Sequence, residues 1–355
     1  MGKTFDEEGL NVSGVLLVCD ANTAFLAERI AGGVPVCVLP GGESEKNWAS
    51  VEKILGAAHA AGLGRDSLFI GIGGGVVGDL TAFAASVYMR GVRLCLISTT
   101  LLGMVDAALG GKTGFDLFGI KNLAGTFYPA RLVYLSMESL ATLPDAEWKS
   151  GMAELIKTAV LDDDNVMFEK IAELRDSFTA RLEKSGRGAG VPAFREGVAS
   201  CEEALAPLIA RSMEIKGRIV EEDPRETGTR RALLNLGHSF GHALEAAAGL
   251  GKVTHGEAVA WGMVRAAALG RLLGVTPETR AKEITALVRS YGYEVKAPHP
   301  LAPHADELLR AMTSDKKKKA GKGVFVLPAE RSARLVSVSY DDPLLKLILN
   351  GEDST

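Results

Sequence analysis

The hydrophobic pattern of this chain changes period once, near residue 144, and that change dictates a two-part fold. Ahead of it, short apolar runs rich in β-branched residues at 14–19, 34–39, 67–72, 93–98 and 131–135 alternate with helical patterns such as 45–61. Strands separated by helices pair in parallel, with the helices on the faces of the sheet. Beyond Leu143-Pro144 the strand signals nearly vanish, and apolar residues recur at helical spacing over 148–161, 166–183, 194–220, 232–248, 256–273 and 277–291. The expected architecture is an α/β domain with a parallel-rich sheet over 1–144, followed by an all-helical domain over 145–355. A length of 355 residues suits two domains, since single cores stop growing at roughly 250–300 residues. The stretch 185–192, Ser-Gly-Arg-Gly-Ala-Gly-Val-Pro, reads as a surface connection between helices.

Charge and cysteine usage narrow the function. A net charge of −4 argues against nucleic-acid or membrane-surface binding through global electrostatics, so any anion specificity must be local. Cys19, Cys37, Cys95 and Cys201 lie far apart, beside apolar neighbours and without metal-knuckle or redox spacing, and read as reduced core residues. The start of the chain, 1–11, is polar and acidic, and no run of about 18 apolar residues occurs. These features lead us to expect a cytoplasmic protein.

One glycine-rich turn follows a strand and opens a helix: Gly73-Gly74-Gly75-Val76-Val77-Gly78-Asp79. Backbone amides at such a helix start can cradle a pyrophosphate. The G-x-G-x-x-G pattern is satisfied, but Ser98 stands where a ribose-binding acid is expected, and the turn is not on the first strand. A dinucleotide cradle and a plain tight turn both remain open on this pattern.

Histidines carry a stronger signal. His238 and His242 stand four residues apart on one helical face, and His255 opens another apolar helix, so half of the six histidines fall between positions 238 and 255. A lone histidine on an apolar face is usually a satisfied core residue, whereas three that converge favour a metal. Glu154 is the expected carboxylate partner, on an apolar helix with Lys157 three residues away. A buried acid there needs a metal or a cation. Spacing alone leaves His242 as either a ligand or a proton carrier.

Anion-binding chemistry is scattered around this core. Gly110-Gly111-Lys112-Thr113-Gly114 and Lys121-Asn122 suit close backbone approach to an anion, although they lack the Walker spacing. Arg90, Lys216, Arg231 and the run 315–319, Asp-Lys-Lys-Lys-Lys, add positive charge; by itself that run reads as a solvated loop.

Taken together and in order, 73–79, 88–91, 98–102, 110–114 with Lys121-Asn122, 151–157, 231–242 and 255–258 resemble the 3-dehydroquinate synthases. The resemblance runs from about Asp20 to Lys317. It implies a Rossmann-like N-terminal domain binding NAD, a helical metal- and substrate-binding domain, a homodimer, and a sugar-phosphate substrate. It matches Glu154, His238 and His255 to zinc ligands, with cobalt as an alternative ion, and makes His242 catalytic. Lys157, Asn235 and Asp106 match groups that act at the substrate hydroxyls. Lys216 and Arg231 match a carboxylate clamp, while Lys112, Asn122, His242, Lys316 and an Arg90 lent by a partner subunit match the phosphate site. For NAD the matching positions are Asp20, Asn22, Glu43, Lys46 and Gly75, then Asp79, Thr99, Thr100, Lys121 and Thr142. Two departures stand out. Asp116 replaces the family's usual asparagine, and an extra residue in Thr229-Arg230-Arg231 leaves open which arginine faces the carboxylate.

The implied reaction converts 3-deoxy-D-arabino-heptulosonate 7-phosphate into 3-dehydroquinate and phosphate, by transient oxidation, elimination, reduction and aldol closure. It belongs to the shikimate route to aromatic amino acids. The rival expectations are another sugar-phosphate cyclase, of valiolone or deoxy-inosose type, or a metal-dependent polyol or glycerol dehydrogenase. A non-catalytic NAD sensor would have no use for Glu154, Lys157, His238 and His255 together.

Overall fold

The computed structural model of the chain describes residues 12–184, 202–249, 251–302, 304–314 and 321–352. The expectations for 1–11, for the connection 185–192, for the helical stretch 194–201, for Cys201 and for the lysine run with Lys316 lie outside these residues. Internal contacts divide the chain after Thr142 into two units.

In the first unit, β1 (Val15–Asp20), β2 (Val36–Leu39), β3 (Leu68–Gly73), β4 (Arg93–Ser98) and β7 (Leu132–Leu135) form one wholly parallel sheet in the order β2-β1-β3-β4-β7. Alternation along β1 feeds two cores. Leu16 and Val18 join Val51, Ile54 and Leu80 on one face, and Leu17 and Cys19 join Ala27, Ile70 and Ile72 on the other. The helices α1 (Ala24–Ala31), α2 (Trp48–Ala60) and α3 (Gly75–Val87) cover those faces. Cys19, Cys37 and Cys95 are buried free thiols, and burial pushes Cys19 and Cys95 up to about 11.

The strand order reverses between β1 and β3, and a doubly wound sheet opens a crevice at the carboxyl ends of its strands at that point. Asp20 ends β1 and the glycine turn ends β3. The position of the turn on the third strand therefore places it at the switch point. A short antiparallel hairpin, β5 (Phe115–Leu117) and β6 (Ile120–Ala124), follows the glycine-rich stretch 110–114 and carries Lys121 and Asn122 on its second strand. Phe115 holds it down, with ring centroids 5.7 Å from Trp48 on α2 and 5.1 Å from Phe83 on α3.

The second unit is built on two helices buried almost all round, α4 (Asp145–Leu161) and, later in the chain, the helix His255–Leu272. Around them lie α5 (Val166–Lys184), α6 (Glu202–Glu222) and α7 (His238–Ala248); the buried helix His255–Leu272 is α8. The helices α9 (Glu278–Ser290), α10 (Ala305–Ser314) and α11 (Pro343–Asn350) complete the layer. Arg265 on α8 is buried and donates to the carbonyls of Val295 and Ile348 at 2.8 and 2.9 Å, tying α11 to the centre.

Two expectations need correction. The second part is helical except for one hairpin, β8 (Lys322–Pro328) and β9 (Ala333–Ser339), whose Phe325 stacks 5.3 Å from Phe240. The single helix expected over 232–248 is broken: a short 3-10 turn, Arg231–Asn235, ends at an extended Leu236, and Gly237 takes φ 80° before α7 begins. The cause is a close crossing of α7 and α8. A Cβ on Gly237 would lie 2.7 Å from the Val259 carbonyl oxygen, and one on Gly262 would lie 2.0 Å from that of Gly237. Among the described residues, no helix is long and apolar enough to cross a membrane.

Candidate functional site

The centre of the second unit holds a carboxylate that its own protein neighbours leave incompletely partnered. Glu154 lies on α4 with no exposure, paired with the equally buried Lys157 one turn on. His255 Nε2 lies 3.3 Å from Glu154 Oε1, and His238 Nε2 lies 3.7 Å from the same atom. Among the described residues, neither oxygen of Glu154 accepts a well-formed hydrogen bond. An acid so placed is costly unless charge compensates it. Burial opposes its ionisation, but Lys157 and the contact with His255 outweigh that and hold it well below the usual carboxylate range.

Local structure explains how the histidines reach this acid. His255 is the first residue of α8, which a capping box starts: Thr254 Oγ1 accepts from Glu257 N at 3.3 Å, and Glu257 Oε2 accepts from Thr254 N at 3.0 Å. His238 opens α7 just after Gly237, and its Nδ1 lies 3.2 Å from the Leu236 carbonyl. A carbonyl only accepts, so the proton of a neutral His238 sits on Nδ1 and the Nε2 lone pair faces Glu154. Burial, with Lys157 adding to it, lowers His238 to about 3 and keeps it neutral. A lone pair and a carboxylate oxygen thus face each other with no proton between them. That is the donor set of a divalent cation, and the ligand atoms of Glu154, His238 and His255 lie within 4.8 Å of one another.

His255 behaves differently. Burial lowers its pKa, but the contacts with Glu154 and Glu245 override this and raise it to about 10. Glu245, 3.8 Å from His255 Nδ1, also forms a second possible ligand group with His242 and His255. His242 is exposed, its ring centroid 5.3 Å from that of His238.

The loop before α7 settles which arginine turns inward. Arg230 is exposed and pairs with Glu222 at 2.9 Å. Arg231 is 2% exposed, and its Nη1 donates to the Pro224 carbonyl at 2.6 Å. Asn235 Nδ2 lies 3.4 Å from Glu226 Oε1. Lys216 is buried on α6, which packs against the 231–235 turn.

In the first unit, Gly73 and Gly74 are fixed by packing, because a Cβ on either would come within 3 Å of Val77 or Thr100. Beyond the backbone of its own helix and its chain neighbours, no protein atom lies within 4 Å of a Cβ built on Gly78, and one on Gly75 would make only an ordinary contact with Ala107. Both line a cavity bounded by Gly73, Gly74, Ser98 and Gly103. This cavity lies at the N-terminal end of α3, where the first-turn amides of a helix favour an anion.

Lys46 is buried and meets Asp79 of α3 at 2.6 Å. Asp20 accepts from the amides of Asn22 and Thr23 at 3.0 Å each, and Thr99 and Thr100 follow β4. Glu43 and Lys121 form an exposed pair at 3.9 Å, and Thr142 turns its hydroxyl back onto the Ser139 carbonyl. Asp106 sits in a wide helical turn, Gly103–Ala107. Arg90, Lys112 and Asn122 are exposed. Asp116 accepts the Asn122 amide at 2.8 Å, which holds Asn122 at φ 52°. An asparagine oxygen would serve there equally well, so the departure at 116 keeps the contact.

Sequence reasoning missed Thr254, Glu257 and Glu245. The first two were legible as a Thr-x-x-Glu box ahead of an apolar run. Glu245 falls one helical turn beyond His242 and carried no separate signal.

Family models described as 3-dehydroquinate synthase N-terminal and C-terminal match residues 36–150 and 151–318. A 3-dehydroquinate synthase from Rhodopirellula baltica is 40% identical over 293 residues, 82% of this chain and 71% of that protein. Two solved structures superpose with a TM-score of 0.78 each. One is a 2-epi-5-epi-valiolone synthase from Streptomyces hygroscopicus with NAD+ and Zn2+ bound, at 29% identity over 95% of this chain and 90% of that one. The other is a 2-deoxy-scyllo-inosose synthase complexed with carbaglucose-6-phosphate, NAD+ and Co2+, at 25% identity over 98% and 93%. With two family models spanning most of its length and a curated relative at this identity, the chain belongs to the 3-dehydroquinate synthase family.

Proposed function

We infer that this chain catalyses the family reaction, converting 3-deoxy-D-arabino-heptulosonate 7-phosphate into 3-dehydroquinate and phosphate on the shikimate route. The observation that carries the reading is the cluster of buried Glu154 with the half-buried His238 and His255, in which two electron-pair donors face each other with no proton between them. When bound, NAD supplies a reversible hydride acceptor, and a divalent zinc or cobalt ion supplies a Lewis acid.

The residues divide the remaining work. Residues 1–144 form the NAD-binding domain, with Gly75 and its neighbours around the pyrophosphate, Asp20, Asn22, Glu43 and Lys46 nearby, and Asp79, Thr99, Thr100, Lys121 and Thr142 completing the contacts. Residues 145–355 form the metal- and substrate-binding domain, with Glu154, His238 and His255 as ligands. Lys216 and Arg231 hold the substrate carboxylate, a pairing suited to an ammonium and a forked guanidinium. Lys112, Asn122 and Lys316 hold the phosphate, with Arg90 supplied by a second copy of the chain in a homodimer. Asp106, Lys157 and Asn235 orient the hydroxyls, and the imidazole of His242, exposed at the edge of the cluster, carries the proton. Anchors at both ends keep one flexible substrate in register through successive steps.

The test follows inorganic phosphate and 3-dehydroquinate together, with the heptulosonate phosphate and a trace of NAD+. Equal amounts of both products, with no accumulation of free NADH, are expected. Free NADH growing in proportion to a simple polyol would replace this reading with a dehydrogenase. A second reading, a cyclase acting on a sugar without a carboxylate, is favoured by the two superposed structures but leaves the buried pair Lys216 and Arg231 without a task.

A further inference from the structure

Between α6 and the Arg231–Asn235 turn, the chain reverses around a single side chain. Asp223 follows the last residue of α6 and is 6% exposed. Its Oδ1 accepts from the amides of Thr227 at 3.0 Å and Gly228 at 3.1 Å, and its Oδ2 accepts from Gly228 at 3.2 Å and Arg231 at 3.4 Å. Three backbone donors from three residues thus converge on one carboxylate, an anion-centred turn built from the protein's own acid. The geometry is tight and partly strained. A Cβ on Gly228 would stand 3.2 Å from Asp223 Oδ2, and Glu226 is held at φ 52°. The amide of Gly228, as the largest influence, holds the Asp223 carboxyl below the usual range, so it is an anion at neutral pH.

The turn presents two groups toward Arg231, read above as a carboxylate anchor, and Asn235, read as orienting the substrate hydroxyls. Pro224, next to Asp223, offers the carbonyl that receives Arg231 Nη1 at 2.6 Å. Glu226 offers the carboxylate that Asn235 Nδ2 approaches at 3.4 Å. The direction of the Arg231 guanidinium therefore depends on where the Pro224 carbonyl sits, and the amide of Arg231 itself is tied to Asp223.

We propose that Asp223 is a positioning residue, which shapes the 223–231 turn and through it aims Arg231 at the substrate carboxylate. The proposal rests on the reading of Arg231 as the carboxylate anchor. Asp223 touches no substrate and acts only through Arg231 and, secondarily, Asn235. Because Arg231 is buried, a misaimed guanidinium has no solvent into which it can relax. The loss then falls on substrate binding and orientation rather than on the fold as a whole.

A double-mutant cycle tests this with Asp223→Asn, Arg231→Met and the pair together, in the full-length enzyme loaded with metal and NAD+. Asparagine keeps the shape but turns one acceptor into a donor facing Gly228 and Arg231 amides. The expected single effect is a loss of about 10- to 100-fold in kcat/KM, led by KM for the heptulosonate phosphate, with NAD+ affinity and metal content unchanged. Added to Arg231→Met, Asp223→Asn should cost less than about twofold more, the signature of action through one residue. Gly228→Ala, which crowds Asp223 Oδ2 and removes no charge, should shift KM in the same direction. If Asp223→Asn and Gly228→Ala leave kcat/KM at the wild-type value while Arg231→Met is severely impaired, the proposal falls and the anchor reading stands. Fully multiplicative effects in the cycle overturn it equally. A wild-type KM in Arg231→Met removes the anchor reading itself, and the proposal with it.

Discussion

Exchanging Lys157 for methionine exposes how the cluster is held when no metal is bound. Glu154 and Lys157 are both buried, at 0% and 2% exposure, and each is the other's nearest opposite charge. Removing one member of such a pair costs about 3–5 kcal/mol, because the remaining charge is left in a poorly polarisable interior. His255, 3.3 Å from Glu154 and shifted toward its charged form, takes up part of the load. The expected loss is therefore at the lower end, about 3 kcal/mol. In a unit of about 150–250 residues, 1 kcal/mol moves the melting midpoint by roughly 2–4 °C, so the metal-free variant should melt about 6–12 °C below metal-free wild type. Zinc should close the gap. In wild type the Lys157 ammonium repels an incoming cation, whereas in the variant the uncompensated carboxylate binds it more strongly, so zinc should raise the variant's midpoint further. Differential scanning calorimetry of chelator-treated protein, with and without zinc, measures both quantities. Metal-free midpoints within about 2 °C of each other, or equal shifts on adding zinc, would refute the account of Glu154 as an acid shared between Lys157 and a metal.

Further outcomes follow from other parts of the structure. Chelation should abolish phosphate release, and zinc or cobalt should restore it; full activity in protein shown to be metal-free removes the ligand assignment. Gly74→Ala should weaken NAD+ at least about tenfold by calorimetric titration, since its Cβ would stand 2.9 Å from Thr100 in the turn proposed to meet the cofactor. Gly56→Ala, exposed within α2 with no atom near the new methyl, should instead stabilise the protein by about 0.5–1 kcal/mol in urea melts. Cys19 and Cys95 are shifted from 9.0 to about 11, so the folded state holds their protons more tightly than the unfolded one. Their contribution is complete below pH 9.0 and fades as pH rises toward about 11, so stability should fall over that window, and less steeply in Cys19→Ala with Cys95→Ala.

The parts of the fold visible in the sequence are those with long, regular periods. The five parallel strands and the buried helices α4 and α8 stand within a few residues of their expected bounds, because the strands are short apolar runs and the helices keep an apolar helical period. The failures occur where tertiary contact overrides local pattern. Leucine and alanine continue at helical spacing through Leu234 and Leu236, so nothing in the period reveals that α8 presses against Gly237 and breaks the helix there. The β5–β6 hairpin was hidden by Gly119 and Lys121 and by the glycines just ahead of it, which suit an anion loop as well as a tight turn. Arg230 and Arg231 are neighbours of the same type, and only the folded loop, with Glu222 outside and the Pro224 carbonyl inside, tells them apart. Asp223 was invisible for the same reason, since its partners are backbone amides that no side-chain pattern records.

The contact between Gly237 and Gly262 bears on any attempt to move this cluster to another scaffold. Two of the three helices that carry the proposed ligands touch through bare backbone, so the distance between His238 and His255 is set by the absence of side chains rather than by their shape. A designer who copied Glu154, His238 and His255 onto an ordinary helix pair would inherit an interaxial spacing of about 8–10 Å chosen by leucines and isoleucines. The rings would then stand too far apart to share one ion. The transferable unit is the crossing together with its ligands, and drift at either glycine would strand the histidines even if every ligand were retained.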